Sequence, residues 1–186
     1  IFPYAGKVLD ALELIKRKST QSGSVEVDYS AIIFGYDRVG HTFASVLTKQ
    51  EYAFLVVDFN PESIERLSKT SIPFVYGDAS DPEFLEELPL RKPALAISTI
   101  PDLTTNTLIL KYLLDRNKHV QFIPIAHSTE DARVLYSLGA AYVVIPHHLG
   151  AEFAARMIDR LKHEPDLYTT EREKHLKKLE NKYAKS

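Results

Sequence analysis

Ala31-Ile32-Ile33-Phe34-Gly35-Tyr36-Asp37-Arg38-Val39-Gly40 carries an apolar run straight into a glycine turn. Four apolar residues closed by Gly35 read as a buried strand. His41 to Gln50, with Phe43, Val46 and Leu47 at helical spacing, reads as the helix that follows. A glycine turn between a strand and a helix is the setting of the dinucleotide fingerprint G-x-G-x-x-G. Gly35 permits the tight turn. The backbone N–H groups after it face a bound phosphate, whose charge the helix dipole favours. Asp37 stands at the middle glycine position and Gly40 at the third.

Outward from this junction the pattern repeats. Phe54 to Val57 is a second apolar run, closed by Asp58. Pro61 to Lys69 reads as a helix, with Asn60 as N-cap and proline at its first position. Pro73 to Tyr76 predicts a third strand and Asp81 to Leu88 a short helix. Ala94 to Ser98 predicts a fourth strand and Asp102 to Arg116 a helix. Val120 to Ala126 predicts a fifth strand, and Thr129 to Leu138 a helix stopped by Gly139. Ala141 to Ile145 predicts a sixth strand and His147 to Lys162 the last helix of the series. Continuously apolar strands are those covered on both faces. The spacing therefore predicts an α/β, Rossmann-like, doubly wound parallel six-stranded sheet with helices on both faces. Its ligand crevice belongs at the carboxyl ends of the strands.

Four strand ends carry ligand chemistry. The first is the glycine turn. Asp37 admits two readings there. Its charge weakens pyrophosphate binding and favours a single phosphate, as in AMP over NAD; or it caps the helix and has no part in ligand choice. Asp58, about 20 residues past the turn, is placed to accept hydrogen bonds from ribose hydroxyls and to repel a 2′-phosphate. Gly77 leaves room for a flat base, with Asp78 as an acceptor for an adenine amino group. Ser98-Thr99-Ile100-Pro101-Asp102 covers the phosphate side.

Composition narrows the field. The chain has 186 residues and a formal net charge of -2, which argues against nucleic-acid binding driven by counterion release. It has no cysteine, so disulfides, thiolate metal sites and cysteine nucleophiles are excluded. No apolar run is long enough to cross a bilayer. His127, His147 and His148 fall near one sheet edge, but paired histidines at a helix start read as capping or solvated, so no metal site is expected.

Strand–GYDRVG–helix, VVDFNPE, VYGDASDP and AISTIPD, in that order, resemble the RCK N-terminal (TrkA-N or KTN) domain over roughly Asp28 to Lys162. That domain regulates potassium channels, Trk/Ktr uptake systems and Kef-type cation:proton antiporters. The resemblance implies an adenine nucleotide, AMP or NAD(H), held by Gly35, Tyr36, Asp37, Arg38, Val39 and Gly40 at phosphate. It also implies Asp58 and Phe59 on the ribose side, Gly77, Asp78 and Ala79 by the adenine, and Thr99, Ile100 and Pro101 on the crevice wall. It implies no catalysis, a homodimer through the later helices, and a membrane transporter domain in the same full-length chain. The expected location is the cytoplasmic face of the cell membrane. Asp37, where the family most often has glycine, is the departure from pattern.

Three segments follow. Residues 1–28 are expected to link to an upstream membrane domain: Val8, Leu9, Leu12 and Ile15 precede the basic Lys16-Arg17-Lys18. Residues 29–163 form the nucleotide domain. Residues 164–186 are a charged helix or linker with a thin seam of Leu176, Leu179 and Tyr183. Two other classes stay open. An NAD-dependent oxidoreductase lacks a Tyr-x-x-x-Lys pair and a second substrate domain here. An S-adenosylmethionine-dependent methyltransferase lacks its second turn glycine.

Overall fold

Ala31–Phe34 (β1) forms the centre of the sheet because all four of its side chains are fully buried, on both faces at once. The computed structural model describes residues 28–161 and 166–183 of the chain. After β1 come α1 (Arg38–Lys49), β2 (Phe54–Asp58), α2 (Pro61–Ser68), β3 (Phe74–Tyr76) and α3 (Pro82–Glu87). Then follow β4 (Leu95–Ser98), α4 (Leu103–Arg116), β5 (Gln121–Pro124), α5 (Thr129–Leu138), α6 (Pro146–Leu161) and α7 (Leu167–Tyr183). Among the described residues the sheet has five strands in the order β3-β2-β1-β4-β5, with every neighbouring pair parallel. Ile33 lies beside Val56 on one side and Ile97 on the other.

Right-handed crossovers place α1 and α2 on one face. Ile33, Val56 and Ile97 pack there with Ala44 and Leu47 of α1 and Ile64 and Leu67 of α2. The strand order reverses between β1 and β4, so the crossovers after β4 return on the opposite face. That reversal opens a crevice at the carboxyl ends of β1 and β4.

Side chains set the helix starts. Asp37, Asn60, Asp81, Asp102 and Ser128 each sit in extended backbone and accept a first-turn N–H, leaving fewer donors unsatisfied. α1 therefore begins at Arg38, three residues before the position that apolar spacing indicates. Gly139 closes α5 in the left-handed conformation, at φ 110°.

The sixth strand is a correction. Residues 141–145 form no strand; only Val144 makes an isolated bridge. The N–H groups of Ala141 and Tyr142 both point at the single carbonyl of Phe122, at 2.9 and 3.4 Å, which does not build a ladder. Tyr142 is half exposed, and Pro146 brings no N–H and opens α6.

The chain divides into two compact units, the first ending at Val143 and the second starting at Val144. In the second unit α6 and α7 pack on each other. Both are largely exposed, including Leu149, Phe153 and Ile158 of α6 and Leu176 and Leu179 of α7. The expectations for residues 1–27 lie outside the described residues. No helix among the described residues is long and apolar enough to cross a membrane.

Candidate nucleotide-binding site

The carboxyl ends of β1, β2 and β4 meet within hydrogen-bonding distance. The Gly35 N–H donates to the Val57 carbonyl at 2.8 Å, and the Thr99 N–H donates to the Phe34 carbonyl at 2.8 Å. Gly35 has a φ of +90°, a conformation that L side chains rarely adopt, and a Cβ there would lie 2.4 Å from Thr99 Oγ1. A Cβ on Gly40 would lie 2.1 Å from the Gly35 carbonyl oxygen. The two glycines thus let the first turn of α1 rest against the end of β1, which is the geometry of the fingerprint.

Asp58 ties this turn to β2. Its Oδ2 accepts the Tyr36 N–H at 2.6 Å and its Oδ1 accepts the Asn60 N–H at 2.7 Å. The carboxylate is 8% exposed, at the mouth of the crevice. Each oxygen takes one protein donor, and a carboxylate oxygen has capacity to accept more than one. Phe59, next in sequence, presents a ring that is 56% exposed.

Tyr36 contributes backbone only. Its ring is buried in the core cluster against Ala44, Leu47 and Ile64 and meets His41 edge-on. Burial raises its phenol above the ordinary value, and the Arg66 guanidinium draws it partly back. Arg66 also donates to Ser63 Oγ at 3.0 Å and reaches the Tyr36 carbonyl at 3.5 Å, bracing the turn from α2.

Asp37 is a helix cap. Its Oδ1 accepts from the N–H groups of Val39, at 2.9 Å, and Gly40, at 3.1 Å. Arg38 is exposed beside it. The space beside Gly77 is filled, not open for a base: a Cβ there would lie 2.1 Å from the Phe84 ring. Asp78 is exposed, and its Oδ1 accepts from the N–H and hydroxyl of Ser80 at 2.8 and 2.7 Å. Ala79 is buried beneath it. Thr99 is buried against Gly35, Ile100 is half-buried, and Pro101 is exposed on the wall. Asp102 caps α4, and hydrogen bonds from the Thr105 N–H and then its hydroxyl hold the carboxyl below its usual value.

One residue of this end escapes a pattern-based reading. Asn106 is fully buried in α4, and its Nδ2 donates to the carbonyls of Ile100 at 2.7 Å and Ile125 at 3.1 Å. It joins the segments that leave β4 and β5, so it holds the crevice wall in place. A lone asparagine within Leu103-Thr104-Thr105-Asn106-Thr107-Leu108-Ile109 was the available signal.

At the opposite, amino end of the sheet lies a groove of about 310 Å³ lined by Tyr29, Thr48, Tyr52, Phe54, Ile72 and Pro73. It is far from these groups in the strand direction.

Residues 31–146, more than half of the chain, match the TrkA-N domain. The chain belongs to the TrkA-N domain family. Among curated relatives, the glutathione-regulated potassium-efflux system protein KefC of Escherichia coli O139:H28 is 27% identical over 128 residues. That match covers 66% of this chain, and the chain spans only 21% of KefC. The TrkA-N domain of the inner membrane protein ybaL from Escherichia coli has the same fold. Its TM-score is 0.64 at 23% identity, covering 74% of this chain and 99% of that one. The Shewanella denitrificans Kef CTD in its AMP-bound form superposes with a TM-score of 0.59 at 18% identity, covering 83% of this chain and 93% of that one.

Proposed function

We propose that this TrkA-N domain is the regulatory module of a potassium or other cation transporter or channel, and that it reads an adenine nucleotide, AMP or NAD(H), without chemistry. The observation that carries this reading is the Asp58 carboxylate, held at the crevice mouth beside the Gly35 turn with acceptor capacity to spare. The likeness to KefC and to an AMP-bound Kef CTD supports it.

In this reading the nucleotide biases two arrangements of a homodimer, and the chain before Asp28 passes that bias to a membrane part. A ligand shifts such an equilibrium only through its different affinities for the two states. The exposed apolar side chains of α6 (Leu149, Phe153 and Ile158) supply a surface for a second copy.

The test is isothermal titration calorimetry of the chain with AMP, ADP, ATP, NAD and NADH. At least one is expected to bind with a Kd below about 1 mM. If none does, the sensor reading fails.

A further inference from the structure

The groove at the amino end of the sheet, opposite the crevice, has no part in the nucleotide reading. Tyr29, Tyr52, Phe54, Ile72 and Pro73 give it apolar walls. Glu51 is the one charged residue that lines it. Glu51 is exposed and makes no ion pair with any described residue.

The backbone conformation of Glu51 is unfavourable for a residue with a Cβ. α1 ends in a Schellman motif, in which the Glu51 N–H donates to the Thr48 carbonyl at 3.1 Å and the Tyr52 N–H donates to the Leu47 carbonyl at 3.0 Å. Glu51 takes the left-handed conformation this requires, at φ 57°, and is the one non-glycine residue with a positive φ among the described residues. Glycine fills such a position without strain, and α5 ends on Gly139. Closing the helix therefore gives no reason for a glutamate. What the glutamate adds is a carboxylate beside the groove.

The groove also lies where the chain enters the domain. Tyr29, which lines it, directly follows Asp28. Upstream, Leu12 and Ile15 run into the basic Lys16-Arg17-Lys18, and residues 19–27 join that cluster to Asp28. A connection of this length reaches at most about 30 Å. Apolar and basic side chains are thus tethered close to an apolar groove with an unpaired carboxylate. Tethering makes docking intramolecular, at an effective concentration in the millimolar range, so weak contacts suffice.

We infer that the groove docks this chain's own residues 12–18, with Leu12 and Ile15 against Tyr52 and Ile72 and the basic cluster against Glu51. Docking there gives the chain before Asp28 a fixed seat on the domain. The inference stands apart from nucleotide binding, which belongs to the opposite end of the sheet.

The chain has no cysteine, so Ser19→Cys carries a single nitroxide label, and paramagnetic broadening of ¹⁵N-bound amides reads where the segment lies. The expected result is strong broadening at Tyr52, Ser71 and Ile72, beside β2 and β3. Ala94, Lys118 and His119, at the same end of the sheet but beside β4 and β5, should stay sharp. Leu12→Ser with Ile15→Ser should abolish this asymmetry. Glu51→Gly and Glu51→Gln should each lower the docked-to-undocked ratio about two- to fivefold, the worth of an exposed ion pair. Both are expected to fold, since glycine suits the position and glutamine keeps the side-chain length. Equal broadening on the two sides of β1 would overturn the inference, as would an asymmetry unchanged in both Glu51 variants. A third contrary result is broadening that passes from a spin-labelled chain to a separate ¹⁵N-labelled one, which makes a second copy the occupant.

Discussion

Gly40→Ala is expected to destabilise the domain by about 3 kcal/mol, lowering its Tm by roughly 6–12 °C. The added Cβ would sit 2.1 Å from the Gly35 carbonyl oxygen and 2.9 Å from its carbon, and both are backbone atoms. Gly35 has nowhere to retreat. Its N–H is fixed to Val57, and the side of it where a Cβ would stand is occupied by Thr99. α1 must then lift off the end of β1, opening the core between Ala44, Leu47 and Ile33. Alanine's higher helix propensity returns only about 1 kcal/mol. Gly150 in α6 makes the contrast, since a Cβ there meets nothing within 4 Å. Gly150→Ala should leave the melt unchanged or raise it slightly. Thermal unfolding followed by circular dichroism reads both. A Gly40→Ala protein as stable as the original would refute the close approach of helix and turn.

Asp58→Ala is expected to abolish measurable nucleotide binding and to cost about 2–4 kcal/mol of stability. Two backbone donors, Tyr36 and Asn60, lose their acceptor, and the first of these bonds is buried. A hydrogen bond to a charged group contributes about 1.5–3 kcal/mol, so loss of two ribose contacts weakens binding by at least about 100-fold. Asp58→Asn separates the two roles. Its single amide oxygen still accepts one N–H, while its NH₂ group faces the other donor, so the fold is partly retained and the ribose contact is weakened. Calorimetry and thermal unfolding of both variants give the two numbers. Unchanged affinity in Asp58→Ala would remove the carboxylate from the site.

These effects concern positions whose role was partly visible in the sequence. The central strands β1, β2 and β4 were legible because each is a short apolar run with no alternation, the mark of cover on both faces, whereas the edge strands β3 and β5 are only partly buried. Ala141 to Ile145 has the same composition but forms no ladder. What decides there is tertiary: two N–H groups share one carbonyl, and Pro146 turns the chain into a helix. The place of Asp58 at the end of β2, beside the glycine turn, was legible from its distance along the chain. Its grip on the Tyr36 and Asn60 N–H groups was not, because that depends on how closely β1 and β2 end side by side. Gly77 misled for a related reason. A glycine at a strand end reads as room for a ligand, yet Phe84, seven residues on, turns back over it. Asp37 had two readings from sequence, and the bonds to Val39 and Gly40 establish the cap.

The central claim is that an adenine nucleoside sits at the carboxyl ends of β1 and β2. Chemical-shift mapping locates it directly: AMP is titrated into ¹⁵N-labelled chain and the amide shifts are followed. The expected result is saturable shifts at Gly35, Tyr36, Phe59, Asn60 and Asp78, with the amino end of the sheet still. Shifts confined to Tyr29, Tyr52 and Ile72 around the opposite groove, or none at millimolar AMP, would contradict it.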